Sequence, residues 1–401
     1  MLRDIHRFIS AAVMAVLSVH VGAQITYDPG VTNTQIKIGQ TMPYSGPASA
    51  YGTIGRAMSG YLDMINDQGG INGRKIKLIS LDDGYSPPKT VEQTRKLVEQ
   101  EEVLLIFGNV GTAVNAAIHR YLNDRRVPQL FIASIGTKWG DPQNFPWTMA
   151  FSQSPRTDNS AFAKYLIQTR PTARIGVIYQ NDDLGKDYLK TLKEALGSRA
   201  ASMIVSEMSY EVTDPTVDSQ VVSVKGAGAD TLFNFSSPKF AAQIIRKVHA
   251  IGWKPVHFVG APGNSVGAVL KPAGLEKSVG IISAAFFKDP TDSQWANDPG
   301  MKYWLEWMKK YHPNGDVVDA YNVYAYTAAQ ALVEVLKLCG DRLTRENVMK
   351  QAANLKNLEL PMLLPGIRIN TSPTDYYPIK QTQLQHFDGK QWVRFGEIVG
   401  P

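Results

Sequence analysis

The run from Thr41 to Pro88 constrains this chain more than any other stretch. It reads as strand, glycine-rich loop, helix, "GGINGRK" turn, strand and Pro-Pro loop. A strand that feeds a helix and then a second strand returns parallel to the first, by a right-handed crossover. The loop carrying Ser45, Gly46, Pro47 and Tyr51 then sits where an α/β sheet offers strand ends and backbone amides to a ligand. The alternation goes on. Strands are expected over 36–40, 75–81, 103–108 and 129–133, with helices over 54–68, 89–101 and 112–124. On the first helix Ala57, Met58, Tyr61, Leu62 and Ile65 share one face, and Gly69-Gly70 ends it. Such a series predicts a parallel sheet covered by helices on both faces.

The series then restarts. Helices are expected over 159–169, 184–195, 217–225 and 240–251, and strands over 174–180, 201–209, 231–235 and 256–259. The seam between the units is "WGDPQNFPWTMAFSQSPRTD", loop-like and rich in proline and aromatic residues. After Ile281 the register changes to helices over 301–311 and 318–338. The tail from Ile367 is β-like, with a hairpin turn at "FDGK". A length of 401 residues agrees with two domains rather than one.

Residues 1–23 read as a secretory signal. Arg3 and Arg7 precede the apolar run Phe8–Val19, which is short for a bilayer span, and Val21-Gly22-Ala23 supplies small residues before a cleavage site at Gln24. No cysteine lies near that site, so a lipoprotein anchor is not expected. Cys339 is the single cysteine, so no internal disulfide can form, and its place at a helix end marks a buried structural thiol. The net charge of +6 is spread among interspersed acids without a Lys/Arg block, which argues against nucleic acid. His119, His249, His257, His312 and His386 show no ligand spacing, and no P-loop or G-x-G-x-x-G occurs. No metal or cofactor is expected.

Ser45-Gly46-Pro47, Tyr51-Gly52, Asn66 with Gly69-Gly70-Ile71-Asn72-Gly73, and Asp82-Asp83 come in an order that resembles the opening of the branched-chain-amino-acid (type I) periplasmic binding proteins. The resemblance covers nearly the whole chain after Gln24. It implies two Rossmann-like lobes with parallel-sheet cores, joined by three crossings near Met149, Ser283 and Pro365-Gly366. Lobe 1 would be 24–148 with 284–365, and lobe 2 would be 149–283 with 366–401. It further implies a monomeric periplasmic receptor that hands a small solute to the membrane permease of an ABC importer, with no chemistry on the solute. A ligand-sensing module for a signalling partner would share the same fold and site.

Two loops each end a strand and open a helix: "FGNVGT" with Thr112, and "IASIGTKW" with Ile135, Gly136, Thr137 and Trp139. Threonine hydroxyls and free amides at a helix start can hold a carboxylate, or Thr112 and Thr137 can be plain N-caps. The resemblance assigns the carboxylate clamp to Thr112 and to Ile135 through Thr137, and makes Tyr51 a cleft-wall aromatic. It also implies an acidic residue for the ligand ammonium in the loop "GAPGNS", where Pro262 stands instead. Leu184 replaces the usual aromatic before "GKDY". A buried ammonium without a carboxylate is costly, so the expected ligand is a carboxylate with an apolar or aromatic body, or a small neutral amide, rather than an α-amino acid.

Candidate walls are Tyr44, Trp139, Phe151, Tyr321 and Tyr324, although Tyr321, Tyr324 and Ala328 also share a helical face suited to core packing. Arg156 could pair a ligand carboxylate or form a surface ion pair. Gly263-Asn264-Ser265-Val266-Gly267 fits G-x-S-x-G, the esterase nucleophile elbow, yet "APGN" intervenes after the strand where a tight turn is needed. A chance match in a glycine-rich loop is the competing reading of Ser265.

Overall fold

The computed structural model describes residues 27–400, so the expected signal segment lies outside the described residues. Two lobes each hold one sheet. The first sheet contains β1 (Gln35–Met42), β2 (Lys75–Asp82), β3 (Leu105–Phe107), β4 (Gln129–Ile132) and β5 (Thr148–Ala150), ordered β2-β1-β3-β4-β5. All its pairings are parallel. Its helices are α1 (Gly52–Asp67), α2 (Pro87–Arg95) and α3 (Thr112–Asp124). The second lobe opens with α4 (Pro155–Thr169), β6 (Ile175–Gln180), α5 (Asp183–Leu196), α6 (Ala200–Met203) and β7 (Ile204–Tyr210). There follow α7 (Asp218–Gly226), β8 (Thr231–Phe235), α8 (Pro238–Ala250), β9 (Val256–Val259), α9 (Lys271–Ala273) and β10 (Ile282–Ala285). The chain then returns to the first core with α10 (Pro299–Tyr311), α11 (Ala320–Leu338) and α12 (Arg345–Ala352), and β11 (Thr382–Phe387) and β12 (Trp392–Val399) complete the second sheet. The second sheet runs β12-β11-β10-β9-β8-β6-β7, antiparallel only where β11 pairs with β10 and β12.

The expected fold class stands: parallel-sheet cores in two lobes. In the first sheet the order reverses between β1 and β3, and in the second between β6 and β8. Open α/β sheets bind ligands in the crevice beyond the strand ends at such a reversal.

Local chemistry explains the elements. Residues 105–107 and 129–132 are buried on both faces, as strands between helical layers must be. Asp182 caps α5 by accepting from the N–H groups of Leu184 and Gly185 at 3.0 and 3.1 Å. The hairpin turn after β11 forms as expected, with Asp388 Oδ1 accepting from the N–H groups of Lys390 and Gln391, both at 2.8 Å. Cys339 is buried, and burial pushes its thiol up to about 12.

Four local expectations need correction. Residues 201–203 continue a helical turn, and the strand starts only at Ile204. β5 and β10 add strands where the seam and the register change had shown none. α12 forms where no helix was expected, with Thr344 Oγ1 accepting from the Asn347 N–H at 3.2 Å. The chain stays with the first core beyond Gly366: Ile367, Ile369 and Ile379 pack there, and the Tyr376 hydroxyl donates to the Pro146 carbonyl at 3.1 Å. The last passage therefore follows Ile379 and leads directly into β11.

Candidate functional site

A cleft with a cavity volume of about 100 Å³ lies between the two sheets. From the first sheet it is lined by Tyr51 and Ile54 beyond β1, Tyr85 beyond β2, Val110 to Thr112 beyond β3, Ala133 to Ile135 beyond β4, and Ser152 beyond β5. The opposite wall is Leu184 beyond β6, with Ala261, Pro262 and Asn264 beyond β9. The floor is Ala284 to Phe287, with Tyr321 and Tyr324 of α11. No Asp, Glu, Lys, Arg or His contributes to the lining.

Polar groups enter this wall from neutral side chains and helix starts. Gly111 has φ +105°, and α3 begins at Thr112, leaving the first-turn N–H groups without intrahelical acceptors. The Thr112 and Ser134 hydroxyls lie 2.8 Å apart. Trp139 Nε1 donates to the Ser134 hydroxyl at 2.8 Å from behind. The Tyr51 and Tyr321 rings pack at 5.2 Å, and the Tyr321 hydroxyl donates to the Pro262 carbonyl across the cleft. Burial raises the Tyr51 and Tyr321 hydroxyls well above the ordinary tyrosine value, so both stay neutral.

Of the residues expected from sequence, Tyr51, Thr112, Ile135, Pro262, Tyr321 and Tyr324 meet in this cleft. Four do not line it. Trp139 is buried behind the wall and holds Ser134. Phe151 packs between Phe131 and Tyr324 at ring distances of 5.3 and 6.0 Å. Gly136 and Thr137 face an outer pocket beside Thr112, across from Asp183, Lys186, Asp187 and Lys190 of α5. The Thr137 N–H and hydroxyl do meet a carboxylate, but it is that of Asp187, at 2.6 and 2.7 Å. This contact joins the lobes, as do the Lys138–Asp183 pair at 2.7 Å and the Gly267 N–H donating to the Val318 carbonyl at 3.0 Å.

Three further candidates resolve into structure. Tyr44 bonds Ser80 at 2.7 Å and lies outside the lining. Arg156 pairs with Glu194 at 2.9 Å, both well exposed. Ser265 is fully buried: its hydroxyl donates to Asp319 Oδ1 at 2.7 Å and accepts from the Ala268 N–H at 3.2 Å. Burial pushes Asp319 up to about 6 despite that bond. His312 instead contacts Thr53 at 3.2 Å, and His386 packs on Phe395, so neither serves Ser265 as a base.

Sequence reasoning missed Tyr85, Ser134, Ser152, Asn264, Phe286 and Phe287 as lining residues. Ser134 and Asn264 fall inside loops already singled out. Tyr85 has φ +61° in a Gly-Tyr turn, which no apolar periodicity marks. Among the described residues no cluster of His, Cys, Asp or Glu could hold a metal. Asp82 instead ties loops, accepting from the N–H groups of Tyr44, Ser45 and Gly84 and pairing with Lys89.

A family model described as periplasmic binding protein matches residues 35–389. The chain belongs to the periplasmic binding protein family. A Leu/Ile/Val-binding protein homolog 7 of Brucella abortus is 26% identical over 317 residues, covering 76% of this chain and 77% of that protein. A branched chain amino acid ABC transporter protein from Thermus thermophilus, solved with bound valine, superposes with TM-score 0.83 at 17% identity, over 92% of this chain and 98% of its own. A fatty acid ABC transporter substrate-binding protein from Thermomonospora curvata superposes with TM-score 0.76 at 21% identity, over 94% and 95%. These two likenesses are of fold. Periplasmic binding proteins of this architecture thus accommodate quite different solutes, and the lining decides which.

Proposed function

We propose that this chain is the exported solute receptor of an ABC importer, acting in the periplasm and presenting its closed, loaded form to membrane permease subunits. Its solute is a small carboxylate with an aromatic or aliphatic body, favoured over branched-chain α-amino acids. The observation that carries this reading is a cleft lined by apolar and neutral polar groups without one ionisable acid. An ammonium drawn into it would lose water and gain no carboxylate. A carboxylate fares better, because the start of α3 and the Thr112 and Ser134 hydroxyls offer N–H and O–H donors. Closure is supported by groups from both lobes that meet around the cleft, Tyr321 with Pro262 and Thr137 with Asp187. Binding on one lobe followed by contact with the other is hinge closure. Export rests on the signal-like start. No helix among the described residues is long and apolar enough to cross a membrane.

The test is a thermal-shift screen of residues 24–401 against aromatic acids, short aliphatic acids, amides and amino acids. A ligand at one hundred times its Kd adds about 2.7 kcal/mol to stability. Hits among the acids are expected. Hits confined to leucine, isoleucine and valine would refute the solute assignment.

A further inference from the structure

We propose that Asn264 is the group through which the second lobe reads its solute, and that its Oδ1 selects solutes bearing a neutral hydrogen-bond donor, a hydroxyl or amide N–H. This inference rests on the cleft being the solute site. The argument begins at Ser283 on β10. The Ser283 hydroxyl donates to the Val259 carbonyl at 2.8 Å, so its proton is committed. Toward Asn264 Ser283 can therefore only accept, and the Asn264 amide nitrogen donates to it at 3.2 Å. The same nitrogen donates to the Ala284 carbonyl at 3.3 Å. Turning the amide over would set its oxygen against that carbonyl, so both neighbours hold one orientation. The backbone carbonyl of Asn264 accepts from Trp392 Nε1 at 3.1 Å, which anchors the loop.

The Asn264 side chain thus spends its nitrogen on the strand, and its oxygen is left for the cleft that Asn264 lines. Asn264 is 7% exposed, and among the described residues no group donates to that oxygen. A buried acceptor without a donor is costly once a solute displaces water from it. A solute that donates there removes the cost, and one that presents a methyl, a hydrogen or a fluorine does not. Sites built to bond a polar group reject analogues that lack it far more strongly than apolar pockets reject a changed methylene. The first lobe then holds the carboxylate near Thr112, and the second reads a donor elsewhere on the solute.

The experiment is calorimetry of the full exported chain with three matched pairs: 4-hydroxybenzoate and 4-fluorobenzoate, mandelate and phenylacetate, lactate and propionate. At least one pair should bind, with the donor-bearing member ten-fold or more tighter, the span expected for one buried hydrogen bond. Asn264→Leu should bring that ratio to about one while the member without the donor binds as before. Ser283→Ala, outside the lining, should narrow the ratio by loosening the amide orientation, and it serves should the leucine variant not fold. Equal affinities within every binding pair, or a ratio untouched by both variants, would overturn this inference and leave the receptor reading standing. Failure of all six solutes to bind would overturn the acid assignment and this inference together.

Discussion

Asp158 lies in the first turn of α4, just after the chain leaves the first sheet, and it is fully buried. Its carboxyl accepts from Gln153 Nε2 at 3.0 Å and from the Tyr188 hydroxyl at 3.2 Å. Burial outweighs both bonds and pushes the carboxyl from 3.8 up to about 7. A carboxyl whose folded value is raised favours folding in its protonated form. Its contribution is whole below the unfolded value and is lost as pH rises through the folded one. Between pH 4.5 and 7.5 these two values correspond to a loss of about 3 kcal/mol. Asp158→Asn cannot ionise and should escape that loss. Urea unfolding of both proteins at the two pH values, followed by tryptophan fluorescence, measures it. Burial lowers His257 to about 3 and His119 to about 4, which makes stability rise with pH over part of the same window. Both histidines are present in both proteins, so the difference between variant and parent isolates Asp158. The variant should gain on the parent by about 3 kcal/mol from pH 4.5 to 7.5. A difference that stays constant within about 0.5 kcal/mol, the usual error of such comparisons, would refute the assignment of a protonated buried acid.

Two further outcomes are expected. Asp187→Ala removes two charge-assisted hydrogen bonds that join the lobes at Thr137; at a partly exposed site they are worth about 1–2 kcal/mol. Solute affinity should fall about five- to thirty-fold, and small-angle scattering of the loaded protein should show a larger radius; an unchanged affinity and radius would show that this contact does not favour closure. Gly111→Ala places a side chain at φ +105°, with its Cβ only 2.4 Å from Tyr85 Cε2, a conformation that alone costs about 1–2 kcal/mol. The variant should melt several degrees lower and lose solute binding, with part of the stability recovered when Tyr85→Ala is added. Equal melting temperatures for the variant and the parent would refute it.

What could be read from sequence divides along a physical line. α3 was legible to the residue because Gly111 and the apolar spacing of Val114, Ile118 and Leu122 are local signals. β5 was not, because three residues cannot display a period, and its pairing with β4 is made by the rest of the sheet. The loops around the cleft were legible as loops after strands, which is why Thr112, Ile135 and Pro262 came together. The direction of each side chain was not. Trp139 and Tyr51 read alike as aromatics beyond a strand, yet the Trp139 indole N–H is drawn inward by Ser134 while Tyr51 faces the cleft. The amide and hydroxyl of Thr137 were expected to hold the solute's carboxylate, and they hold a side-chain carboxylate instead. Their partner is Asp187, fifty positions along the chain, and only closure of the lobes brings it there. Asn264 shows the limit most clearly. Nothing local tells which way its amide turns; the answer depends on where the Ser283 proton goes, and that is settled by the Val259 carbonyl on the neighbouring strand. Selectivity in this cleft is therefore written in the pairing of β9 with β10 as much as in the loop that carries the residue.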